Sequence, residues 1–398
     1  MQGLGTPESP FIITTVLELQ SMNDNLSASY ILGNDIDASD TVNWNSNAGF
    51  IPIGDSTTTF TGSLDGNGKT ISNLYINRPG VSFTGMFGLL GPQSEVSSMT
   101  LDNFNVSGGQ HSGILSGVMD QGMATEIKCI NFTLTANGTG SGPISGYVSN
   151  VILIKDCEVR TGQLSSTTTH AGGFVGYCRN THIQNCLSED VTVSSPTGRF
   201  IGGFVGIVDR DNPLIENCYA NNNVTANDYS GGFVAQQVAG GGIIRNCYSK
   251  GTFTGGGGGY NGGFIGVLYS TRNYNPPVIT NCYAAVVCNF SGSNNGGFAG
   301  AITQEGGTSP PQITSCYWDT TLSGISVSVV GTGKTTTEMY QQATYTEWDF
   351  VDTWQIDEGV FYPELQVLAT VVSILAPILL TPTQVSGVVK LTWEYPVS

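Results

Sequence analysis

The sequence predicts an all-β protein: a right-handed parallel β-helix of about nine three-strand coils of roughly 30 residues each, closed by helical caps at both ends. Three observations predict it. A Gly-Gly-Phe motif recurs at Gly172-Gly173-Phe174, Gly202-Gly203-Phe204, Gly231-Gly232-Phe233, Gly262-Gly263-Phe264 and Gly296-Gly297-Phe298, in steps of 30, 29, 31 and 34 residues. An Ile-x-x-Cys motif is interleaved in phase with it, at Ile154/Cys157, Ile183/Cys186, Ile215/Cys218, Ile244/Cys247, Ile279/Cys282 and Ile313/Cys316. Finally, 54 glycines, 11% charged residues and 39% hydrophobic residues suit many short strands joined by turns, and the apolar fraction is too high for a disordered chain.

Each element follows from the repeat. Degenerate copies of the first motif extend it back through residues 141–145, 112–116, 84–88 and 61–65. Ile and Cys in the second motif are three apart, which strict alternation sends to opposite faces. The intervening Asn (Asn185, Asn217, Asn246, Asn281) tolerates a left-handed backbone, so it is expected to bend the strand and return both apolar side chains to the interior. Six cysteines occupy that one position, where earlier coils are expected to place Leu74, Met99 and Ile130, so they read as buried free thiols rather than disulfides. Cys129, Cys178 and Cys288 lie off the column, and no CxxC or Cys/His spacing marks a metal site.

Four regions are expected. Residues 1–37 form an N-terminal cap, with Thr15-Val16-Leu17-Glu18 opening a short helix through about Asn23. The β-helix runs over 38–330. Residues 331–371 form a C-terminal cap, where Thr335 and Glu338 repeat the capping logic ahead of a helix over 339–343. Residues 372–398 read as a strand-forming tail, either the start of a sandwich domain or a segment for self-association.

Composition also excludes functions. A formal charge of −17 with only 13 scattered Lys and Arg argues against nucleic-acid binding, which needs clustered cations. The longest apolar run, 367–380, is broken by Thr370, Ser373 and Pro377 and is too short to span a membrane. Met1-Gln2-Gly3-Leu4 has neither the basic start nor the apolar stretch of a signal peptide. No cofactor is expected: the three histidines, His111, His170 and His182, form no metal or catalytic constellation, and the glycine run 255–259 lacks the helix and Lys-Ser/Thr pair of a phosphate loop.

At this point the residues resemble a known group. The stretch Gly5-Thr6-Pro7-Glu8-Ser9-Pro10-Phe11, the run from Phe60 to Leu74, the GGFVG and INCYA repeats and Cys316-Tyr317-Trp318-Asp319-Thr320 resemble GLUG-motif surface proteins. That group includes the β-helical region of zinc-dependent immunoglobulin A peptidases and large adhesins. The resemblance covers residues 3 to about 365 and implies a β-helix at an extracellular, cell-surface or virion-surface location. It does not carry over a protease, because the HExxH zinc motif of those members is absent from this sequence.

Two features point to binding. Tyr219, Tyr248, Tyr283 and Tyr317 follow the inward cysteines and are expected to point outward as a four-rung aromatic column, open to a glycan or protein ligand or covered by loops or a neighbouring subunit. The loop after Gly-Gly-Phe lengthens in later coils, placing Asp209, Arg210, Asp211, Arg272 and Tyr274 on one face. These residues imply a non-catalytic surface module for adhesion or binding. The alternatives are a virion or fibre structural protein that assembles through its C-terminal strands, and a polysaccharide-degrading enzyme using Asp209, Asp211 or Glu305.

Overall fold

Strands this short close into coils only if the chain turns at fixed points, and left-handed residues supply the turns. The computed structural model describes residues 1–369 apart from 273 and 307, and beyond them four short strands. Asn67, Ser98, Glu126, Asp156, Asn185, Asn217, Asn246, Asn281 and Ser315 stand at equivalent points with φ between 50° and 56°. Their side chains are tied from coil to coil: Asn185 donates to Asp156 at 3.0 Å, Asn217 to Asn185 and Asn246 to Asn217 at 3.2 Å, and Asn281 to Asn246 at 3.4 Å. The bend re-phases the strand. Ile183 and Cys186, three residues apart, are both fully buried, as are Ile215 and Cys218.

Parallel pairing stacks the coils in register. An eight-stranded sheet begins at Phe87–Leu90 and ends at Ala299–Gln304, and the other faces of the coils join into a twenty-stranded sheet. Phe174, Phe204, Phe233, Phe264 and Phe298 form an interior column with centroids 4.5 to 4.9 Å apart and rings within 15° of parallel. Glycine precedes each Phe for steric reasons: a Cβ on Gly203 would stand 2.0 Å from the Gly232 carbonyl oxygen of the next coil.

All nine cysteines are free. Cys157, Cys186, Cys218, Cys247, Cys282 and Cys316 line one interior column, and thiols such as Cys186, Cys218 and Cys247 donate to the carbonyl two residues back at 3.1 Å. Met99 continues the column as expected, but Ile127 and not Ile130 holds the next rung. Ile127 faces Met99, and the following Lys128 faces Glu158, the residue after Cys157. Ile130 instead faces Arg160, and Leu74 lies beyond the next left-handed residue, Asn73. The coil between Met99 and Ile127 is shorter than every later one, which moved the sequence alignment off the true rung.

The ends close differently. Thr15 caps the helix Val16–Gln20, which continues as a 3-10 turn over Ser21–Asp24, and Leu19 and Met22 plug the first coil. At the far end Trp318 packs into the last rung with its indole donating to Ile325 at 3.0 Å, and Ser328 Oγ accepts from the Ala299 amide at 2.8 Å. Thr335 and Glu338 do form a reciprocal capping box, but the helix spans Thr336–Met339, followed by a 3-10 turn at Gln342–Thr344, rather than 339–343. In the tail, Ile378–Leu379 pairs antiparallel with Trp393–Glu394 and Thr383–Val385 with Val388–Lys390. The self-association and sandwich expectations for 372–398 otherwise lie outside the described residues.

Candidate functional site

The tyrosine column is real, but its face is not free. Tyr219, Tyr248 and Tyr283 stack at 4.8 and 5.0 Å with rings within 8° of parallel. Tyr219, Tyr248, Tyr283 and Tyr317 are only 8, 4, 0 and 7% exposed, because residues 335–368 fold back along the flank of the rod and cover them. Trp354, Trp348, Tyr345 and Met339 form the lid, Tyr283 donates its hydroxyl to the Pro363 carbonyl at 2.8 Å, and Lys250 reaches Glu364 at 3.2 Å. Burial pushes the Tyr248 and Tyr283 phenols well above their ordinary range. Of the two readings of these four residues, the open ligand-binding column is therefore corrected and the covered one holds: the C-terminal segment, beyond closing the rod, is their cover.

The loop face partly assembles. Asp209 accepts the Tyr177 hydroxyl at 2.5 Å and lies 3.7 Å from the Arg210 guanidinium, while Asp211 is held by Arg179 at 2.6 Å. Arg210 lies over the Tyr274 ring at 5.3 Å, two coils on. The intervening coil makes this possible with Gly240, where a Cβ would stand 2.5 Å from the Arg210 Cα. Arg272 is drawn away to the following loop, its amide donating to Glu305 at 3.1 Å and its guanidinium to the Gly306 carbonyl at 2.9 Å. The three carboxylates proposed for acid/base chemistry thus each have a separate partner.

A third feature escaped the sequence reading. At the corner before each Gly-Gly-Phe motif stands a left-handed residue, and most of these residues are aromatic: Phe83, His111, His170, Phe200, Tyr229 and Tyr260 have φ of 61°, 54°, 66°, 61°, 52° and 62°. Gly140 takes the missing rung, where a Cβ would stand 2.5 Å from His111 Nδ1, and Asn294 follows Tyr260. Tyr147 and Tyr177, on the adjoining strands, bridge the Gly140 gap. The result is one run of half-buried rings, Phe83, His111, Tyr147, Tyr177, His170, Phe200, Tyr229 and Tyr260, with successive centroids 4.8 to 5.9 Å apart. Burial, with His170 nearby, lowers the His111 pKa to about 4, and burial also lowers that of His170, so both are neutral rings at pH 7. Bulky side chains in this backbone region are strained by roughly 1–2 kcal/mol each relative to Gly. The signal was present as an aromatic or His two residues before the first glycine in four of the five Gly-Gly-Phe motifs, with Asn294 at the fifth.

Arg199 sits over this corner, its guanidinium 4.4 Å from the Tyr229 centroid and 5.5 Å from that of Phe200, with its Nε donating to Asp228 at 3.0 Å. On the opposite side of the coil, His182 and Arg245 both contact Glu216, at 2.8 and 2.5 Å. Burial raises the Glu216 pKa, but these two partners outweigh it and hold the carboxyl below its usual range.

Comparison with known proteins fits this architecture. The GLUG motif is matched over residues 201–225, the stretch holding Gly203, Phe204, Cys218 and Tyr219. The chain is 39% identical over 159 residues to halomucin of Haloquadratum walsbyi, covering 38% of this chain and 2% of halomucin. It is 33% identical over 127 residues to the "Putative Gly-rich membrane protein" of Evansella cellulosilytica, covering 30% of this chain and 15% of that protein. The chain therefore spans only a small part of these relatives. In fold it is similar to a "putative immunoglobulin A1 protease" from Bacteroides ovatus, with a TM-score of 0.50 and 18% identity over 92% of this chain and 94% of that one. No helix among the described residues is long and apolar enough to cross a membrane.

Proposed function

We propose that this chain is a non-catalytic, surface-exposed β-helix module that displays a rigid binding face as part of an extracellular protein. The observation that carries the reading is the state of the loop carboxylates: Asp209, Asp211 and Glu305 are each engaged by a different phenol, guanidinium or amide. A glycosidase instead needs two carboxyl groups facing one bond, one of them held protonated. The in-register rod, whose every coil buries its apolar side against its neighbours, supports a spacer and display role. Similarity to small portions of long surface or membrane proteins supports the location.

The test is a pair of measurements on the full chain. Immobilised protein screened against glycan and surface-protein arrays is expected to retain a ligand, while incubation with a polysaccharide panel is expected to release no reducing ends. Turnover that disappears in an Asp209→Ala, Asp211→Ala variant would falsify the module reading and establish the enzyme alternative.

A further inference from the structure

We propose that the aromatic corner at Phe200, Tyr229 and Tyr260 binds a neutral polysaccharide laid along the rod. The inference deepens the module reading and rests on it.

Four observations carry it. In the same coils, the interior and lid-covered columns pack their rings nearly parallel: the Phe174–Phe204–Phe233 pairs are 11° and 4° off, and the Tyr219–Tyr248–Tyr283 pairs 6° and 8°, whereas the buried Tyr30–Phe60–Phe87 rings of the first coils tilt by 35° and 47°. The corner rings are splayed, at 39° for His170–Phe200, 52° for Phe200–Tyr229 and 34° for Tyr229–Tyr260. A splayed ring leaves part of its face uncovered, and the C–H-rich face of a pyranose stacks on such a surface. Tyr260 goes further, since the next rung is Asn294 and puts no ring over it.

Second, the position itself is strained. Gly or Asn accommodates φ near 60° without cost, and the same column uses Gly140 and Asn294. Aromatic residues at the remaining rungs are unfavourable for folding, and strain of this kind gathers where side chains meet a ligand.

Third, the chain entering the corner is glycine over five successive residues. The glycines at 255–259 run directly into Tyr260 and lie beside Tyr229, and a Cβ on Gly257 would meet nothing within 4 Å. Gly257 and Gly258 are exposed and carry no side chain beside the rings, whereas Gly255 and Gly259 are buried and their carbonyls accept from the Ser291 and Tyr229 amides. The fully buried Asn261 has neither side-chain amide atom paired, an arrangement that costs about 1–3 kcal/mol per group. Any side chain on Gly255 would press on it, at 2.7 Å from its Nδ2.

Fourth, charge selects the class of ligand. The chain carries −17, and the guanidinium at the corner, Arg199, is already neutralised by Asp228. Polyanions are repelled and find no free cation here. A neutral glycan has rings to stack, hydroxyls to bond and no charge to lose. The corner rings follow one another at 5.5 and 4.8 Å, so a chain laid along the rod engages several of them together.

The test uses the full chain in affinity electrophoresis through gels containing a soluble β-glucan, a galactomannan or an α-glucan, with alginate as the anionic control. Wild-type protein is expected to be retarded by at least one neutral polymer and not by alginate. The Tyr229→Asn, Tyr260→Asn variant removes both rings with a residue at ease in the left-handed region. It is expected to keep or raise its melting temperature while retardation weakens at least about tenfold, the scale at which single stacked rings contribute elsewhere. Full retardation of that variant overturns the site. Retardation by alginate alone, or by no polymer while a protein ligand is still captured on arrays, overturns the glycan inference and leaves the module reading standing. Capture of no ligand of any kind removes both.

Discussion

One outward column of this rod carries two chemistries. In its first half the rungs after the interior bend are Thr70, Thr100, Lys128 and Glu158, and in its second half they are Leu187, Tyr219, Tyr248, Tyr283 and Tyr317, all in one parallel register. The first half lies open around a shallow depression of about 470 Å³ that includes Met99, Glu126, Lys128 and Glu158, with Lys128 and Glu158 paired at 3.2 Å. The second half lies under residues 335–368. The backbone is the same in both, so the aromatic character of the second half reflects what covers it. A stacked aromatic column on a solenoid is therefore not by itself a sign of a ligand site. The aromatic corner is a better candidate because its rings are half-buried, splayed and strained.

The contrast continues inside. The cysteine column begins at Cys157, and its earlier rungs are Met99 and Ile127, which do not titrate. Burial pushes the thiols of Cys157, Cys186, Cys218, Cys247 and Cys282 well above their ordinary range, and does the same to the Tyr248 and Tyr283 phenols. Before residue 150, the groups raised by burial are Cys129 and Tyr30. A group whose folded pKa is raised contributes stability that is intact below its unfolded pKa and is lost as pH climbs toward the folded value. For thiols the loss starts near pH 8.5 and grows by about 1.4 kcal/mol per group per pH unit. Raising pH from 8 to 10 should therefore open the second half of the rod first, an effect of several kcal/mol. Hydrogen exchange, corrected for its intrinsic pH dependence, should show protection lost around Cys186 to Cys282 while the coils around Ile76 and Leu90, which hold no buried thiol, keep theirs. Simultaneous loss along the whole rod would contradict the comparison.

The lid gives a smaller but more local test. Trp354 is fully buried, 4.3 Å from the Trp348 ring and 6.1 and 6.3 Å from Tyr248 and Tyr283. Trp354→Ala should cost about 3–5 kcal/mol of the lid's attachment. The expected signs are dye binding to newly exposed tyrosines and proteolysis within 335–368, with the interior coils still protected. A lid that stays closed would mean that the hydrogen bond from Tyr283 to Pro363 and the Lys250–Glu364 pair are sufficient to hold it.

Sequence made the rod legible because the repeat is a physical constraint applied many times over. Ile, Asn and Cys recur in phase since each coil must bend and bury at the same points, and two mis-set rungs, Leu74 and Ile130, did not disturb the fold. The lid was only half legible. Thr335 and Glu338 announced the capping box, but nothing in residues 335–368 says that they run back along the flank, because that contact pairs irregular chain with residues of the rod as much as 114 positions earlier in sequence. The corner was missed for another reason. Left-handed backbone is inferred from Gly and Asn, and here it is occupied by Phe, His and Tyr, against local preference.

The smallest expected effect is the sharpest on the role of the cover. Thr100 sits half-buried in the open half, between Thr70 and Lys128 and in register with the tyrosines further on. Thr100→Tyr places a ring on the same backbone at the same kind of rung, and both residues are favourable in strands. If the tyrosine column draws its stability from burial under the lid, an uncovered ring gains little. The melting free energy should then change by less than about 0.5 kcal/mol, as for other surface substitutions. A stabilisation above about 1 kcal/mol would show that an outward ring strengthens a coil without cover. Tyr219, Tyr248, Tyr283 and Tyr317 would then be coil-stabilising residues in their own right, and the lid would be docking onto a column that exists for another purpose.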